Sequence, residues 1–327
     1  MTYTNGFFKS TDGEHNIAYY VFMPKGEIRA AVQIVHGMNE YLLRYKHLAK
    51  FFNDNGIAVC GNDHLGHGSS ISCEEDYGYF SPEKGWQNAV EDMYKLTKIM
   101  KEKVGDVPYF MFGHSMGSFL ARAFMIRHAS ALDGAVICGT GDGMPATAAL
   151  LTVCDAVKLA KGERYRSDKL NNVAFSKYNE RFPDAAYNTA WLSRDEEIQK
   201  AFAEDEKSNH IFTVNGFENL AKMLHYISDP RWFKALRKDM PVFLIAGTDD
   251  PVGNYGKGVQ AVYDKMKAQD CNVELKLYEG CRHELVNELN KDEVMADILS
   301  FIEDTISGGD EEKSAAAYEE LIEGQAD

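Results

Sequence analysis

No stretch of this 327-residue chain stays apolar for the ~18 residues that a helix needs to cross a bilayer core, so none of it reads as a membrane span. The first ten residues are polar and mixed, without the charged start and hydrophobic stretch of a secretory leader. Cysteine is sparse and scattered. Cys60, Cys73, Cys138, Cys154, Cys271 and Cys281 show neither the paired spacing of a zinc site nor a compact disulfide framework. They read as reduced thiols, which makes the expected location cytoplasmic, and Cys281, two residues from His283, is expected to make that region sensitive to alkylation. Positive charge is also short: 35 Lys and Arg against 50 Asp and Glu leave a net −15. Nucleic-acid phosphates and an anionic bilayer are poor partners for such a chain. His64-Leu65-Gly66-His67 has a ligand-like spacing, but no cysteine or acidic cluster joins it and its glycine makes it a turn. No metal and no organic cofactor is expected.

What is present is a chemical motif in a telling context. Gly113-His114-Ser115-Met116-Gly117 follows the apolar run Val107 to Phe112, read as a buried strand. It precedes Phe119 to Ile126, read as a helix with Leu120, Phe124 and Met125 on one stripe. A sharp strand-to-helix turn lifts a serine clear of a sheet, and glycines two residues either side remove crowding, so Ser115 is the expected nucleophile. Serine hydroxyls need a base, and in hydrolases with this elbow the chain order is serine, acid, histidine, each after a strand. Pro241 to Ala246 is a buried strand ending in Gly247-Thr248-Asp249-Asp250-Pro251. Asp250 is the favoured acid, with Asp249 a competitor because adjacent carboxylates point in different directions. Val273 to Tyr278 is the last strand and runs into Glu279-Gly280-Cys281-Arg282-His283, making His283 the general base. The oxyanion hole needs two backbone donors, expected from Met116 and, after the strand Ala31 to Val35, from Met38.

Around these motifs, strands alternate with helices at Tyr45 to Asn53, Glu83 to Val104 and Asp292 to Ile306. That pattern implies an α/β fold with a mostly parallel central sheet and helices on both faces, its strand exits forming the reactive edge.

Five motifs in order resemble the monoacylglycerol lipase group of α/β hydrolases, which also includes bacterial lysophospholipases and carboxylesterases. They are His36-Gly37-Met38-Asn39-Glu40, Asp63-His64-Leu65-Gly66-His67-Gly68-Ser69, the elbow, Gly247-Thr248-Asp249-Asp250, and Tyr278-Glu279-Gly280 leading to His283. The resemblance is near full length and implies the α/β-hydrolase fold with an inserted, mainly helical cap. It also implies Ser115, Asp250 and His283 as triad, and Met38 and Met116 as oxyanion donors. In that family a glutamate and an arginine of the oxyanion loop hold the glycerol head, which here implies Glu40 and Arg44, with Gly37 and His114 beside them as further substrate contacts. A second histidine three residues past the base is replaced by Val286, so a monoglyceride is one candidate rather than an assured substrate.

The expected division is therefore a core over 1–138 and 240–307, a cap over 139–239 and an acidic tail over 308–327. The cap carries Met144, Leu150, Leu151, Phe175, Tyr178, Trp191, Phe212, Phe217, Met223, Leu224 and Tyr226, a set that favours an apolar acyl chain. Gly308-Gly309 is expected to break the last helix, leaving a tail with seven acids against Lys313. The expected function is ester hydrolysis on medium or long acyl esters, with a lipid-like small-molecule substrate. Amide cleavage on the same fold, with Asp195, Glu196, Asp205 and Glu206 gripping a free amine, and a ligand-binding relative without turnover are the alternatives.

Overall fold

The computed structural model describes residues 3–143 and 147–323, with side chains up to residue 308; the Met144 expectation lies outside the described residues. Eight strands form one sheet: β1 (Tyr3–Lys9), β2 (Asn16–Phe22), β3 (Ala30–Val35), β4 (Ile57–Asn62), β5 (Tyr109–His114), β6 (Gly134–Cys138), β7 (Val242–Gly247) and β8 (Val273–Tyr278). Their spatial order is β1-β2-β4-β3-β5-β6-β7-β8. Only β1 with β2 and β2 with β4 pair antiparallel; every other neighbour is parallel. Strands β3, β4, β5, β6 and β7 are buried at every position, as sheet strands covered on both faces must be, which is why they read as continuous apolar runs.

Among the described residues, ten α-helices accompany the sheet: α1 (Lys46–Asp54), α2 (Gly85–Val104), α3 (Met116–Arg127), α4 (Thr147–Lys161), α5 (Asp168–Phe175), α6 (Glu196–Glu204), α7 (Val214–Ser228), α8 (Pro230–Ala235), α9 (Lys257–Lys267) and α10 (Lys291–Glu323). Two apolar clusters lie on opposite faces of the sheet. One gathers α2, α3, α7 and α9, with Trp86, Val90, Met93 and Met100 inward as their spacing predicts. The other gathers α1 and α10, with Val294, Ile298, Phe301 and Ile302 inward. Between β6 and β7, helices α4 to α8 intervene and contribute nothing to the sheet.

Two expectations need correction. Helix α3 buries not one stripe but every residue from Met116 to Met125, because it is enclosed between the sheet, α2 and α7. That enclosure includes Arg122, whose guanidinium donates to Thr140 Oγ1, Gly141 O and Ile227 O and lies over the Trp232 ring. The second correction concerns Gly308-Gly309, which does not end α10; the helix runs on to Glu323. Two glycines cost about 1 kcal/mol each against alanine, and the Glu-Glu-Lys and Ala-Ala-Ala stretch that follows favours helix.

Candidate active site

Ser115 follows β5 and adopts φ 54°, ψ −124°, a backbone conformation an L-residue holds only where its surroundings impose it. The surroundings here are visible. A Cβ on Gly117 would stand 2.0 Å from Val35 O, and one on Gly113 would stand 2.7 Å from Gly117 O, so both glycines are required by close backbone approach. The turn places Ser115 and Met116 at the wall of a cavity of about 710 Å³.

The exits of β7 and β8 are zipped together. Asp249 N–H donates to Cys281 O at 2.9 Å and Gly280 N–H to Thr248 Oγ1 at 2.8 Å. This pairing brings His283 against Asp250: Nδ1–H donates to Oδ2 at 3.0 Å, while Oδ1 accepts from Val252 N–H at 2.8 Å. Asp250 is fully buried and His283 nearly so. A carboxylate can only accept here, so His283 carries a proton on Nδ1, and its Nε2 is buried without a hydrogen-bond partner. Between the two aspartates the geometry is unambiguous: Asp249 turns outward and pairs with Arg181 at 3.1 Å. The His283 ring lies 5.1 Å from Trp191 and 4.7 Å from His114, centroid to centroid. Gly139, at the end of β6, passes beneath it; a Cβ there would stand 3.0 Å from His283 Cε1.

Of the two expected oxyanion donors, Met38 and Met116 both line the cavity, and neither amide is bonded to another backbone group among the described residues. Gly37 lies against the nucleophile, its Cβ position 3.0 Å from Ser115 Cβ, but its N–H is committed to Glu40 Oε2 at 2.5 Å. Glu40 also accepts from Tyr45 OH at 2.7 Å and Arg44 at 2.6 Å, and its Oε2 lies 3.1 Å from His114 Nδ1. Arg44 in turn forks onto Glu284 at 2.9 and 3.0 Å, and His114 Nε2–H donates to His283 O at 3.3 Å. Glu40, Arg44, Glu284 and His114 are thus a largely buried charge network joining the loop after β3 to the loop after β8. Burial alone would raise the Glu40 carboxyl, but His114 and Arg44 outweigh it and hold it well below its usual range. Burial would likewise lower His114, and Glu40 reverses that, raising it. Glu40 and His114 reach the cavity wall, whereas Gly37 and Arg44 are not among its lining residues.

His64 and His67 join His36 in a second buried group. His36 Nε2 accepts from His64 N–H at 3.0 Å and its Nδ1–H donates to Gly37 O at 2.8 Å, so the ring is neutral. Burial, reinforced by His67, lowers it to about 3. No cluster of ligating side chains able to hold a metal occurs among the described residues.

The expected apolar set divides. Leu150, Phe175, Tyr178, Trp191, Phe217 and Leu224 line the cavity; Leu151, Phe212, Met223 and Tyr226 pack elsewhere. Cys281 needs correction: it has no solvent exposure, its Sγ contacts Arg194 Nη2 and Asn290 Oδ1 at 3.1 Å, and burial raises its thiol. An inaccessible, protonated thiol is not an alkylation target. Tyr45, Gly139 and Glu284 were missed in the sequence. A glycine directly at a strand exit was the available signal for Gly139; nothing local marked the other two.

A serine on a strained turn, a histidine oriented by a buried aspartate and a mostly parallel sheet define an α/β hydrolase. The chain belongs to the Hydrolase_4 family, described as serine aminopeptidase, S33, whose model matches residues 26–290. It is 27% identical over 309 residues to the monoacylglycerol lipase of Mycolicibacterium smegmatis, covering 90% of this chain and 98% of that one. Human monoglyceride lipase is 26% identical over 289 residues, covering 86% and 83%. Among solved structures, a thermostable carboxyl esterase from Bacillus coagulans in complex with glycerol is 32% identical, with a TM-score of 0.88 over 94% of this chain and 99% of that one. The protein is an α/β hydrolase of the monoglyceride lipase-like family and a hydrolase of the esterase and lipase class.

Proposed function

We propose that the chain is a serine carboxylic-ester hydrolase for medium or long acyl esters such as monoacylglycerols or lysophospholipids, working through an acyl-enzyme on Ser115. The observation that carries this reading is the convergence on one cavity of a strained serine and an imidazole fixed by Asp250 with its second nitrogen unengaged. His283 Nε2 takes the Ser115 proton as the oxygen attacks the ester carbonyl, Asp250 steadies the imidazolium, and the Met38 and Met116 amides receive the oxyanion. The imidazolium then protonates the departing alcohol, and water enters by the same route to release the acid. Helices α4 to α8, over 139–239, form the cap, and Phe175, Phe217 and Leu224 receive the acyl chain. Glu40, Arg44 and His114 position the oxyanion and base loops. The cysteines, free throughout the described residues, fit a reducing, cytoplasmic setting.

Amide cleavage at a free amino terminus would call for an unpaired carboxylate at the cavity. Asp195, Glu196, Asp205 and Glu206 are not among its lining residues, and Glu40 and Glu284 are tied to Arg44. The test is kcat/KM on p-nitrophenyl esters, monoacylglycerols, lysophosphatidylcholine and aminoacyl anilides, with Ser115→Ala alongside. Ester turnover lost in the variant is the expected result; turnover of anilides alone would refute the reading.

A further inference from the structure

His114 stands one residue before the nucleophile, buried, with both ring nitrogens engaged. Its Nε2 lies 3.3 Å from His283 O, and a carbonyl oxygen can only accept, so Nε2 carries a proton. Its Nδ1 lies 3.1 Å from Glu40 Oε2 and 2.9 Å from Tyr45 OH. The phenol has one proton to give, and the Glu40 carboxylate, at 2.7 Å, is the stronger acceptor for it. Nδ1 is left facing a carboxylate and the lone pairs of a phenol oxygen, both acceptors, so it carries a proton as well.

Charge balance leads to the same form. Glu40 and Glu284 are buried carboxylates, and Arg44 sets one guanidinium between them. Buried charges are paired, so two carboxylates in one enclosed group call for a second cation. The other groups around His114 do not supply it. Tyr45 donates as a neutral phenol, and burial keeps protonated the thiol of Cys138, which pairs with His114 on β6. Burial works against a charge on His114, and Glu40, followed by Glu284, overcomes it.

We infer that His114 is an imidazolium at neutral pH, and that its charge, with ring centroids 4.7 Å apart, opposes a second proton on His283 and so keeps the general base free to act. His114 acts through His283 rather than on the substrate, as a positioning residue whose charge matters as well as its shape. On the other side of His283, Asp250 holds Nδ1, while Trp191 and Gly139 bring no charge to the ring. Tyr178, against Trp191, is kept neutral by burial. The inference rests on the ester-hydrolase reading for its assay and adds a residue to that site.

The experiment is the pH dependence of kcat/KM for p-nitrophenyl octanoate in the wild type and in His114→Gln, whose amide can still donate to His283 O but carries no charge. The acidic limb of that profile reports the free base. Removing a cation at this distance is expected to move the limb up by about one to two pH units, whereas removing a neutral imidazole leaves it in place. The position of a limb does not depend on the active fraction, so a partly misfolded sample does not disturb the comparison. An unmoved limb overturns the inference. Should His114→Gln be inactive, long-range proton–nitrogen correlation NMR of histidine-labelled protein at neutral pH answers instead. One ring with both nitrogens protonated, missing from the variant, is the expected spectrum; a His114 with one bare nitrogen overturns the inference. Wild-type failure on the ester would remove the ester-hydrolase reading, and the spectrum would still decide the charge of His114.

Discussion

Replacing Asp250 by asparagine separates the two adjacent carboxylates by their consequences. Asp250 is fully buried and uses both oxygens, Oδ2 for His283 Nδ1–H at 3.0 Å and Oδ1 for Val252 N–H at 2.8 Å. Asparagine retains the volume but offers one acceptor and an NH2 group. With its oxygen kept on Val252, the amide presents N–H to His283 Nδ1, which forces the imidazole proton onto Nε2. That nitrogen then cannot take the Ser115 proton. A wrong tautomer in a triad of this kind costs about 10^4 in kcat, or about 5 kcal/mol of transition-state stabilisation. Asp249→Asn, by contrast, removes only a half-exposed pair with Arg181, worth at most about 1 kcal/mol of stability, and is expected to keep kcat/KM within about twofold. Steady-state hydrolysis of p-nitrophenyl octanoate by both variants, with circular dichroism to establish folding, decides the matter. The reasoning is refuted if folded Asp250→Asn retains a tenth of wild-type activity, or if Asp249→Asn loses as much.

Three further outcomes follow from the same geometry. Gly117→Ala would set a Cβ 2.0 Å from Val35 O and 2.5 Å from His36 O, both backbone atoms with little freedom to move; a loss of about 3 kcal/mol in urea unfolding is expected, and a neutral result would mean that the elbow is not packed this tightly. Brief treatment with iodoacetamide should modify exposed Cys73 before buried Cys281, checked by peptide mass, and early alkylation of Cys281 would contradict its burial. His36 and His67, lowered by burial to about 3 and about 4, stay neutral in the folded chain while the unfolded chain takes up protons below pH ~6.5. Their contribution is therefore present at neutral pH and lost on acidification, at ~1.4 kcal/mol per pH unit for each group. His67→Asn, which can still donate to Leu65 O, should flatten the stability slope between pH 6 and 5 by about one proton; an unchanged slope would show that His67 is not held neutral.

The candidate site was legible as a juxtaposition because chain order and strand periodicity agreed: a serine between glycines, an aspartate pair and a histidine each followed a strand. The choice between Asp249 and Asp250 was not, since it depends on the direction of two neighbouring side chains, which the pairing of Asp249 N–H with Cys281 O fixes only in three dimensions. Helix α3 misled for a related reason. A stripe is visible when one face meets water, and α3 meets none from Met116 to Met125. The loop after β3 was expected to supply an oxyanion donor, and its polar side chains were assigned by resemblance alone. Glu284, 240 positions from Arg44 in the chain, has no local sign that it will capture that guanidinium. Nor does anything near His210 reveal that it will sit beside Asn39, because the long helical segment between β6 and β7 brings it there. The Gly308-Gly309 step shows the opposite error, in which a local breaker signal lost to the helix-forming residues around it.

The central claim is that Ser115 becomes acylated during turnover, and intact-protein and peptide mass spectrometry after reaction with a long-chain fluorophosphonate tests it most directly. A single phosphonyl adduct on the Ser115 peptide, formed in step with the loss of ester hydrolysis and absent from Ser115→Ala, is the predicted result. An adduct at another residue, or ester turnover undiminished once Ser115 is fully modified, would contradict it.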